Sequence, residues 1–328
     1  MVWRIPWVWL LQCWVLLSPL VVADGFVRVA SADGARNIEI RPLDVVAADP
    51  PVLLVEKKDG AEVRLPLASV GQGRERLERW HAQVLADPQH QLRNRLAGKR
   101  ELGVLFIGNS FTFGLPEMLK RLARAEGKSI RVSELTRGGW TLAQHAEDSN
   151  VLESIRDGRW DLVVLQEQSQ VPGMPVPQRD ARMLNPVRML VEQTRSGGAD
   201  PVLYQTWGRR DGDTQNAQVF PNDNYKAMQQ RTIDGYDAIS ASLGGIALAR
   251  VGQAWAAIHE LGHGAALFSA DGIHPSAAGV YLNACVFYSL CFDLNIKRGL
   301  PEVVPDALRQ IIQATAGDVG RWTPPPMS

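Results

Sequence analysis

Cysteine is scarce in this sequence, with three among 328 residues, and Cys13 lies in an apolar stretch at the amino terminus. The other two, Cys285 and Cys291, are six residues apart in a stretch with a helical pattern. At that spacing they project in different directions from one helix and are poorly placed to bond to each other. We therefore expect two buried thiols and no disulfide framework.

An excess of charge is missing as well, because 35 Lys and Arg residues balance 35 Asp and Glu residues. A neutral chain lacks the positive potential with which proteins attract nucleic acid or anionic membranes. After residue 23 there is also no apolar run of the roughly 20 residues that a membrane span needs. We expect a small molecule rather than nucleic acid as partner, and the oligomeric state stays open.

The first 23 residues predict a signal peptide. Arg4 precedes an apolar stretch from Trp7 to Leu17, and Val21-Val-Ala23 offers a cleavage site with small residues. On this interpretation the remainder of the chain is secreted or periplasmic, and the segment takes no part in the fold.

Composition and pattern divide the rest of the chain into further regions. Residues 24–70 alternate short apolar runs with Asp33-Gly34 and Asp59-Gly60, a signal of β-hairpins. Residues 71–100 predict a helix and a linker, residues 101–318 a large α/β domain and residues 319–328 a tail. In the large domain, strand-like and helix-like stretches alternate, which predicts a parallel sheet with helices on both faces.

One stretch of the large domain delivers a serine to a position where ligands commonly bind. An apolar run from Leu102 stops at Gly108, and Ser110 follows before a helical pattern from Leu115 to Ala125. Ser110 thus comes at the carboxyl end of a buried strand, where open α/β sheets bind ligands. The alternative is that Ser110 or Thr112 only caps the helix.

A second stretch supplies a base and a group to orient it. In Asp271-Gly-Ile-His274-Pro, the carboxylate lies three residues before the histidine, within reach of one ring nitrogen. A serine hydroxyl becomes a good nucleophile when such a base accepts its proton and a third group fixes the tautomer. Ser110, His274 and Asp271 are therefore the predicted catalytic residues.

These two stretches resemble the first and last motifs of the SGNH, or GDSL-like, hydrolases. Leu165-Gln-Glu-Gln-Ser169 and Tyr281–Phe287 resemble a poorly characterised bacterial branch of that superfamily. The resemblance implies a flavodoxin-like three-layer α/β/α core and a serine esterase that removes an acyl group, such as acetate, from a carbohydrate or another small ester. It implies no cofactor. The amino-terminal β region resembles the small SH3-like barrel called the first Sla homology domain.

The same resemblance suggests an oxyanion hole. The Ser110 N–H is one donor, and Gly139, or else Gly138, in Arg137-Gly-Gly-Trp140 matches the glycine motif. The family places an asparagine after the third strand, whereas this chain has Gln166 and Gln168, either of which could donate. Substrate contacts are predicted for the three residues Asn109, Trp140 and Trp207.

Two other functions compete with this hypothesis. His259-Glu260-Leu-Gly-His263 matches the zinc-hydrolase pattern His-Glu-x-x-His, although Gly262 and Gly264 would weaken the helix that the pattern requires. The unusual third motif is also compatible with an inactive protein of the same fold that binds a ligand without turning it over.

Overall fold

A computed structural model describes residues 26–46, 48–300 and 302–326, so the predicted signal peptide lies outside the described residues. Contacts divide the chain into two compact units. One holds the described residues up to Leu85 together with 324–326, and the other holds Ala86–Thr323. The domain boundaries drawn from the sequence at residues 70, 100 and 318 differ from these limits and remain predictions.

The first unit contains an antiparallel sheet in the order β1-β2-β3-β4. Its strands are β1 (Val27–Ala30), β2 (Asn37–Val46), β3 (Val52–Lys57) and β4 (Glu62–Pro66). Gly34 and Gly60 lie in the two Asp-Gly turns with φ of 70° and 81°, a conformation that glycine adopts without strain. The predicted hairpins are therefore confirmed.

Helix α1 (Arg74–Ala86) follows this sheet. It buries Leu77, Trp80 and Val84, which follow one another at helical spacing along one face. The Trp80 indole N–H donates to the carbonyl oxygen of Pro325 at 2.8 Å. This contact packs Pro325, within the predicted tail, against α1.

The second unit is built on a five-stranded parallel sheet in the order β6-β5-β7-β8-β9. Its strands are β5 (Glu101–Gly108), β6 (Ser129–Thr136), β7 (Leu162–Leu165), β8 (Asp200–Tyr204) and β9 (Ala247–Ala249). Apart from Glu101, every residue of β5 is buried, as expected of a central strand that is covered on both faces. The strand order reverses between β5 and β7, and this switch point is where such sheets form their binding crevice.

Helices cover both faces of the sheet. The helices of this unit are α2 (Pro88–Leu96), α3 (Leu115–Ala125), α4 (Leu142–Ala146), α5 (Ser149–Asp157), α6 (Val176–Ser196), α7 (Tyr225–Ser242), α8 (Val251–Glu260), α9 (Ala277–Phe292) and α10 (Asp306–Gly320). One core lies between the sheet and α2, α3, α8, α9 and α10, and a second lies between the sheet and α4 to α7. The predicted three-layer α/β/α fold is confirmed. Within the described residues, no helix combines the length and the apolar character of a membrane span.

The structure differs from the sequence prediction in several elements. The helical pattern of the sequence runs without a break from Leu142 to Ile155, but the structure has two helices there. Asp148 caps the second one and accepts from the Asn150 N–H at 2.9 Å. Part of the predicted linker is helix α2, in which Asp87 is the N-cap and Pro88 the first helical residue. Within the predicted tail, Trp322 is packed and only 9% exposed.

The two remaining cysteines lie in α9, and both are buried and unbonded, as predicted. Burial raises the pKa of Cys285 well above its ordinary value and raises that of Cys291 to about 12. Both thiols are therefore protonated at neutral pH and take part in packing.

Candidate active site

Ser110 lies in the turn that connects β5 to α3. The turn passes close to Gln166, and a Cβ atom at Gly108 would meet the Gln166 Oε1 atom at 2.5 Å, so only glycine fits there. Helix α3 begins five residues after Ser110, and its N-cap position is Gly114, with no side-chain cap from the described residues. The alternative in which Ser110 or Thr112 merely caps this helix is therefore wrong.

The structure brings the three predicted catalytic residues into one hydrogen-bonded chain. The Ser110 Oγ atom lies 2.9 Å from His274 Nε2, and His274 Nδ1 lies 2.6 Å from Asp271 Oδ2. Because a carboxylate only accepts, Nδ1 carries the proton and Nε2 has a lone pair for the serine hydroxyl. The geometry thus favours removal of the Ser110 proton.

Asp271 is held in place by its own loop. Its Oδ1 atom accepts from the Ser269 hydroxyl at 2.8 Å and from the backbone N–H groups of Ile273 and His274 at 2.9 and 3.0 Å. Partial burial alone would raise the pKa of Asp271, but the hydrogen bonds from His274, Ile273 and Ser269 outweigh it and hold this pKa well below its usual range. Asp271 is therefore ionised whenever His274 can act as a base.

An aromatic stack packs against His274. The rings of Phe111 and Trp207 are parallel with centroids 4.5 Å apart, and Trp207 stacks in turn on Trp255 at 4.3 Å. The Phe111 ring also meets the His274 ring edge-on at 5.7 Å. The indole N–H of Trp207 donates to the Ile273 carbonyl oxygen at 3.1 Å, which ties the stack to the loop that carries His274.

Trp207 is 0% exposed, so the predicted contact between this side chain and a substrate is wrong for the conformation observed. Its position after β8 correctly suggests proximity to the site. The sequence could not reveal that the ring is covered by its two aromatic neighbours.

The predicted glycine motif forms a tight turn beside the Ser110 turn. The Trp140 N–H donates to the Arg137 carbonyl oxygen at 3.1 Å, and Gly139 has φ of 73°, where glycine is strongly favoured. Among the described residues, neither the Ser110 N–H nor the Gly139 N–H has a hydrogen-bond acceptor within the chain. Both groups are therefore available to an external acceptor such as an oxyanion.

Gln166 lies next to the Ser110 turn and is hydrogen-bonded to it. Its Oε1 atom accepts from the Asn109 N–H at 2.8 Å and from the Thr112 hydroxyl at 3.1 Å, and its Nε2 atom donates to the Glu167 carbonyl oxygen. The side chain is 0% exposed. These contacts favour a structural role over the predicted donation to an oxyanion.

Gln168 is half-buried and is occupied by its own loop. Its Nε2 atom donates to Gln170 Oε1 at 3.1 Å, and its Oε1 atom accepts from the Gln170 N–H at 2.9 Å. Its predicted role in the oxyanion hole stays a prediction.

The two other predicted substrate contacts have different surroundings. Asn109 is 2% exposed, and its amide joins two turns because Nδ2 donates to the Trp140 carbonyl oxygen at 2.8 Å. A substrate contact through the Asn109 side chain is therefore wrong for this conformation. Trp140 is half-buried beneath the Arg137 guanidinium, 4.2 Å from its ring centroid, so its contact with substrate stays a prediction.

Two buried residues near the site were missed as site residues by the sequence analysis. His145 is 1% exposed, and its Nε2 atom donates to the Gly108 carbonyl oxygen at 2.8 Å. Burial lowers the pKa of His145, so the ring is neutral. Glu167 is fully buried beside the start of α4. Their one sequence signal is position, since His145 follows the glycine motif and Glu167 lies between Gln166 and Gln168. The orientation of both side chains depends on the packing of α4.

The His-Glu-x-x-His pattern does not form the helical site that zinc hydrolases use. Helix α8 ends at Glu260, and Gly262 has φ of 81°, so His259 and His263 do not share one helix face. The His259 ring stacks on Tyr225 with centroids 3.7 Å apart, whereas His263 is exposed. Among the described residues, no three His, Cys, Asp or Glu side chains form a group that could hold a metal.

Comparison with known proteins yields similarity only at the level of structure. No family model and no curated protein match the sequence. A DUF4886 family protein from Bacteroides uniformis superposes with a TM-score of 0.59 at 19% identity, over 66% of this chain and 94% of that one. A lipase/acylhydrolase from Enterococcus faecalis has a TM-score of 0.43 at 14% identity, over 61% of this chain and 99% of that one.

An acetyl xylan esterase from Geobacillus stearothermophilus has a TM-score of 0.42 at 19% identity, over 58% of this chain and 94% of that one. At these identities the similarity concerns the fold. The superposition on the Bacteroides protein supports the three-layer α/β/α architecture described above.

Proposed function

We propose that this protein is a serine hydrolase of the SGNH type that cleaves carboxylic esters. The observation that carries the proposal is the chain of hydrogen bonds from Asp271 through His274 to the Ser110 hydroxyl, at 2.6 and 2.9 Å. Nucleophile, base and orienting carboxylate stand in the order that acyl transfer needs.

In the proposed mechanism, Ser110 Oγ attacks the ester carbonyl carbon while its proton passes to His274 Nε2. The oxyanion accepts hydrogen bonds from the Ser110 and Gly139 N–H groups, which have no acceptor within the described chain. Collapse of this intermediate breaks the bond to the alcohol, and His274 returns the proton to that leaving group. Water, deprotonated by His274, then releases the acid from Ser110.

The substrate that we propose is a small acyl ester, with acetate on a carbohydrate as the first choice. This choice is supported by the resemblance to the SGNH hydrolases and by the predicted signal peptide, which would export the enzyme to the compartment where glycans are met. Ser110 is half-buried, and the side chains of His274 and Asp271 are 41% and 46% exposed. A bulky alcohol can therefore approach from solvent.

For the amino-terminal unit we propose an SH3-like module with a structural or tethering role. It is supported by the four-stranded meander and by the bridge between Ser31, after the first strand, and Val70, after the last. Beside this bridge, the Ala32 N–H donates to the Ser69 carbonyl oxygen and the Gly71 N–H donates to the Ala30 carbonyl oxygen, each at 2.9 Å. These bonds join the segments that follow the first and last strands, as a small barrel requires.

The test is hydrolysis of 4-nitrophenyl acetate by wild type and by Ser110→Ala and His274→Ala. Each substitution removes one member of a single catalytic unit, so we expect a loss of at least about 10⁴-fold in kcat. Ser133→Ala, at an exposed serine of β6, is the matched control and should retain full activity.

A metal chelator should leave the wild-type rate unchanged. Activity that persists in Ser110→Ala and disappears with the chelator would instead support the zinc alternative at His259 and His263. A wild type that binds esters without turning them over would support the ligand-binding alternative.

A further inference from the structure

Glu167 is a buried carboxyl group that the proposed reaction does not use. It follows β7 directly and is 0% exposed. Its Oε1 atom accepts from the backbone N–H groups of Gln168 at 2.6 Å and Leu142 at 3.2 Å. Its Oε2 atom is buried and has no hydrogen-bond partner among the described residues.

Such a group is costly to keep in a protein interior. Burial raises the pKa of Glu167 to about 7, although the N–H groups of Gln168 and Leu142 act in the opposite direction. An alanine or an apolar residue would avoid this cost. The function of the carboxyl group is therefore to be found in the backbone groups that it binds.

The two N–H groups that Glu167 binds belong to segments on either side of the site. Gln168 lies in the loop after β7, and Leu142 is the first residue of α4, two residues beyond the Gly-Gly-Trp turn. The remaining attachments of that turn lead to the Ser110 turn. Arg137 N–H donates to the Gly108 carbonyl oxygen at 3.1 Å, and the Trp140 carbonyl oxygen accepts from Asn109.

The turn that carries Gly139 is thus held at its start, at Trp140 and just beyond its end. The first two attachments join it to the strand of the nucleophile, and Glu167 joins it to the next strand of the sheet. Because β5 and β7 are neighbours at the switch point, this third attachment fixes the turn relative to both strands.

From this arrangement we infer that Glu167 is a positioning residue, whose buried carboxyl oxygen holds the start of α4 so that the Gly139 N–H stays aimed at the oxyanion. The inference rests on the proposed function, since the oxyanion is formed in that reaction. Glu167 itself touches neither substrate nor the reacting atoms in this account.

Three substitutions distinguish this role from simple packing. In Glu167→Gln the amide oxygen can accept the same two N–H groups, so kcat should stay within a few-fold of wild type. Glu167→Asp is shorter by one methylene group and loses contact with Leu142, and Glu167→Ala loses both contacts. For these two we expect kcat to fall by about 10²-fold, the effect of losing one oxyanion donor, while KM changes little.

Met183→Ala is the matched control for stability. Met183 is 0% exposed and belongs to the same core layer, so its truncation loosens that layer without touching the hydrogen bonds of Glu167. Met183→Ala should keep its kcat even if it lowers the unfolding temperature as much as Glu167→Ala does. Equal kcat losses in these two variants would reduce Glu167 to a packing residue and overturn the inference.

A crystal structure of Glu167→Ala beside that of Glu167→Gln provides a readout that needs no activity. We expect the distance from Gly139 N to Ser110 Oγ to change in the alanine variant and to be preserved in the glutamine variant. An unmoved Gly139 turn in Glu167→Ala would contradict the inference, whatever the esterase assay shows. Failure of the proposed function would appear separately, as absence of turnover in wild type.

Discussion

The two sides of the site are built in opposite ways. The acid–base side consists of Ser110, His274 and Asp271, which are half-buried or exposed and bond to one another. On the oxyanion side, Gln166 and Glu167 are fully buried and bond mainly to backbone groups. The groups proposed to react therefore face solvent, whereas the polar groups in the interior hold the turns that present backbone donors.

Next to Ser110→Ala and His274→Ala, the largest effect is expected from Asp271→Asn, on the same side of the site. The asparagine amide can offer a donor to His274 Nδ1, which favours the wrong imidazole tautomer. We expect kcat for 4-nitrophenyl acetate to fall by about 10²- to 10⁴-fold while the fold is retained. Asp211→Asn, at an exposed carboxylate outside the chain of hydrogen bonds, is the control. A rate within twofold of wild type would mean that Asp271 does not orient His274.

The second effect concerns the stability of the buried side as a function of pH. The folded-state pKa of Glu167, about 7, is above its ordinary value of 4.5, so the folded state binds the proton more tightly than the unfolded state. Its stabilising contribution is present at low pH and is lost as pH rises towards and through 7. The full shift from 4.5 to about 7 corresponds to roughly 3.5 kcal/mol, at about 1.4 kcal/mol per pKa unit.

Glu167→Gln cannot titrate and should not share this loss. Urea unfolding of both proteins between pH 5 and pH 8 checks the prediction. The free energy of unfolding of wild type should fall relative to that of Glu167→Gln as pH rises. A constant difference across this range would show that Glu167 does not titrate there.

A smaller effect should separate the two glutamines. Gln166→Ala removes the acceptor for the Asn109 N–H and the Thr112 hydroxyl, so the Ser110 turn loses its support. We expect kcat to fall by about 10- to 10²-fold, and by no more than about threefold in Gln168→Ala. The opposite order would assign the oxyanion donor to Gln168 and restore that sequence-based alternative.

The smallest effect is expected from Trp207→Phe, in the aromatic stack that packs against His274. Trp207→Phe keeps an aromatic ring in the stack but removes the indole N–H that binds the Ile273 carbonyl oxygen. We expect a loss of about 1 kcal/mol in stability and a decrease of a few-fold in kcat. Thermal unfolding and the esterase assay measure the two quantities, and Trp160→Phe, remote in the sequence and also bonded through its indole, is the control.

The parallel sheet and the exposed side of the site could be predicted from the sequence. The hydrophobic pattern predicts the parallel sheet, since buried strands such as β5 are apolar along nearly their whole length. The Asp271–His274 contact is local, because His274 follows Asp271 by three positions in one loop, so the sequence alone can predict it. Contact with Ser110 then follows from the fold, because the residue lies at the carboxyl end of a central strand.

Other features depend on tertiary packing and could not be predicted. Gln166 and Gln168 have the same side chain, but the Gln166 amide is bonded inward by the Asn109 N–H and the Thr112 hydroxyl. The Gln168 amide bonds to Gln170 in its own loop. Trp207 follows a strand and should be accessible by position, but Phe111 and Trp255 cover both its faces. Helix α2 is mostly polar, and its signal lies in the Asp87-Pro88 cap rather than in apolar periodicity.

Covalent labelling by a fluorophosphonate, followed by mass spectrometry of the labelled peptide, tests directly whether Ser110 is the nucleophile. A serine activated by His274 should react once per protein molecule and carry the label on Ser110. The label should be absent in Ser110→Ala and form far more slowly in His274→Ala. A wild type that stays unlabelled, or a label that persists in Ser110→Ala, would contradict the assignment of Ser110 as the nucleophile.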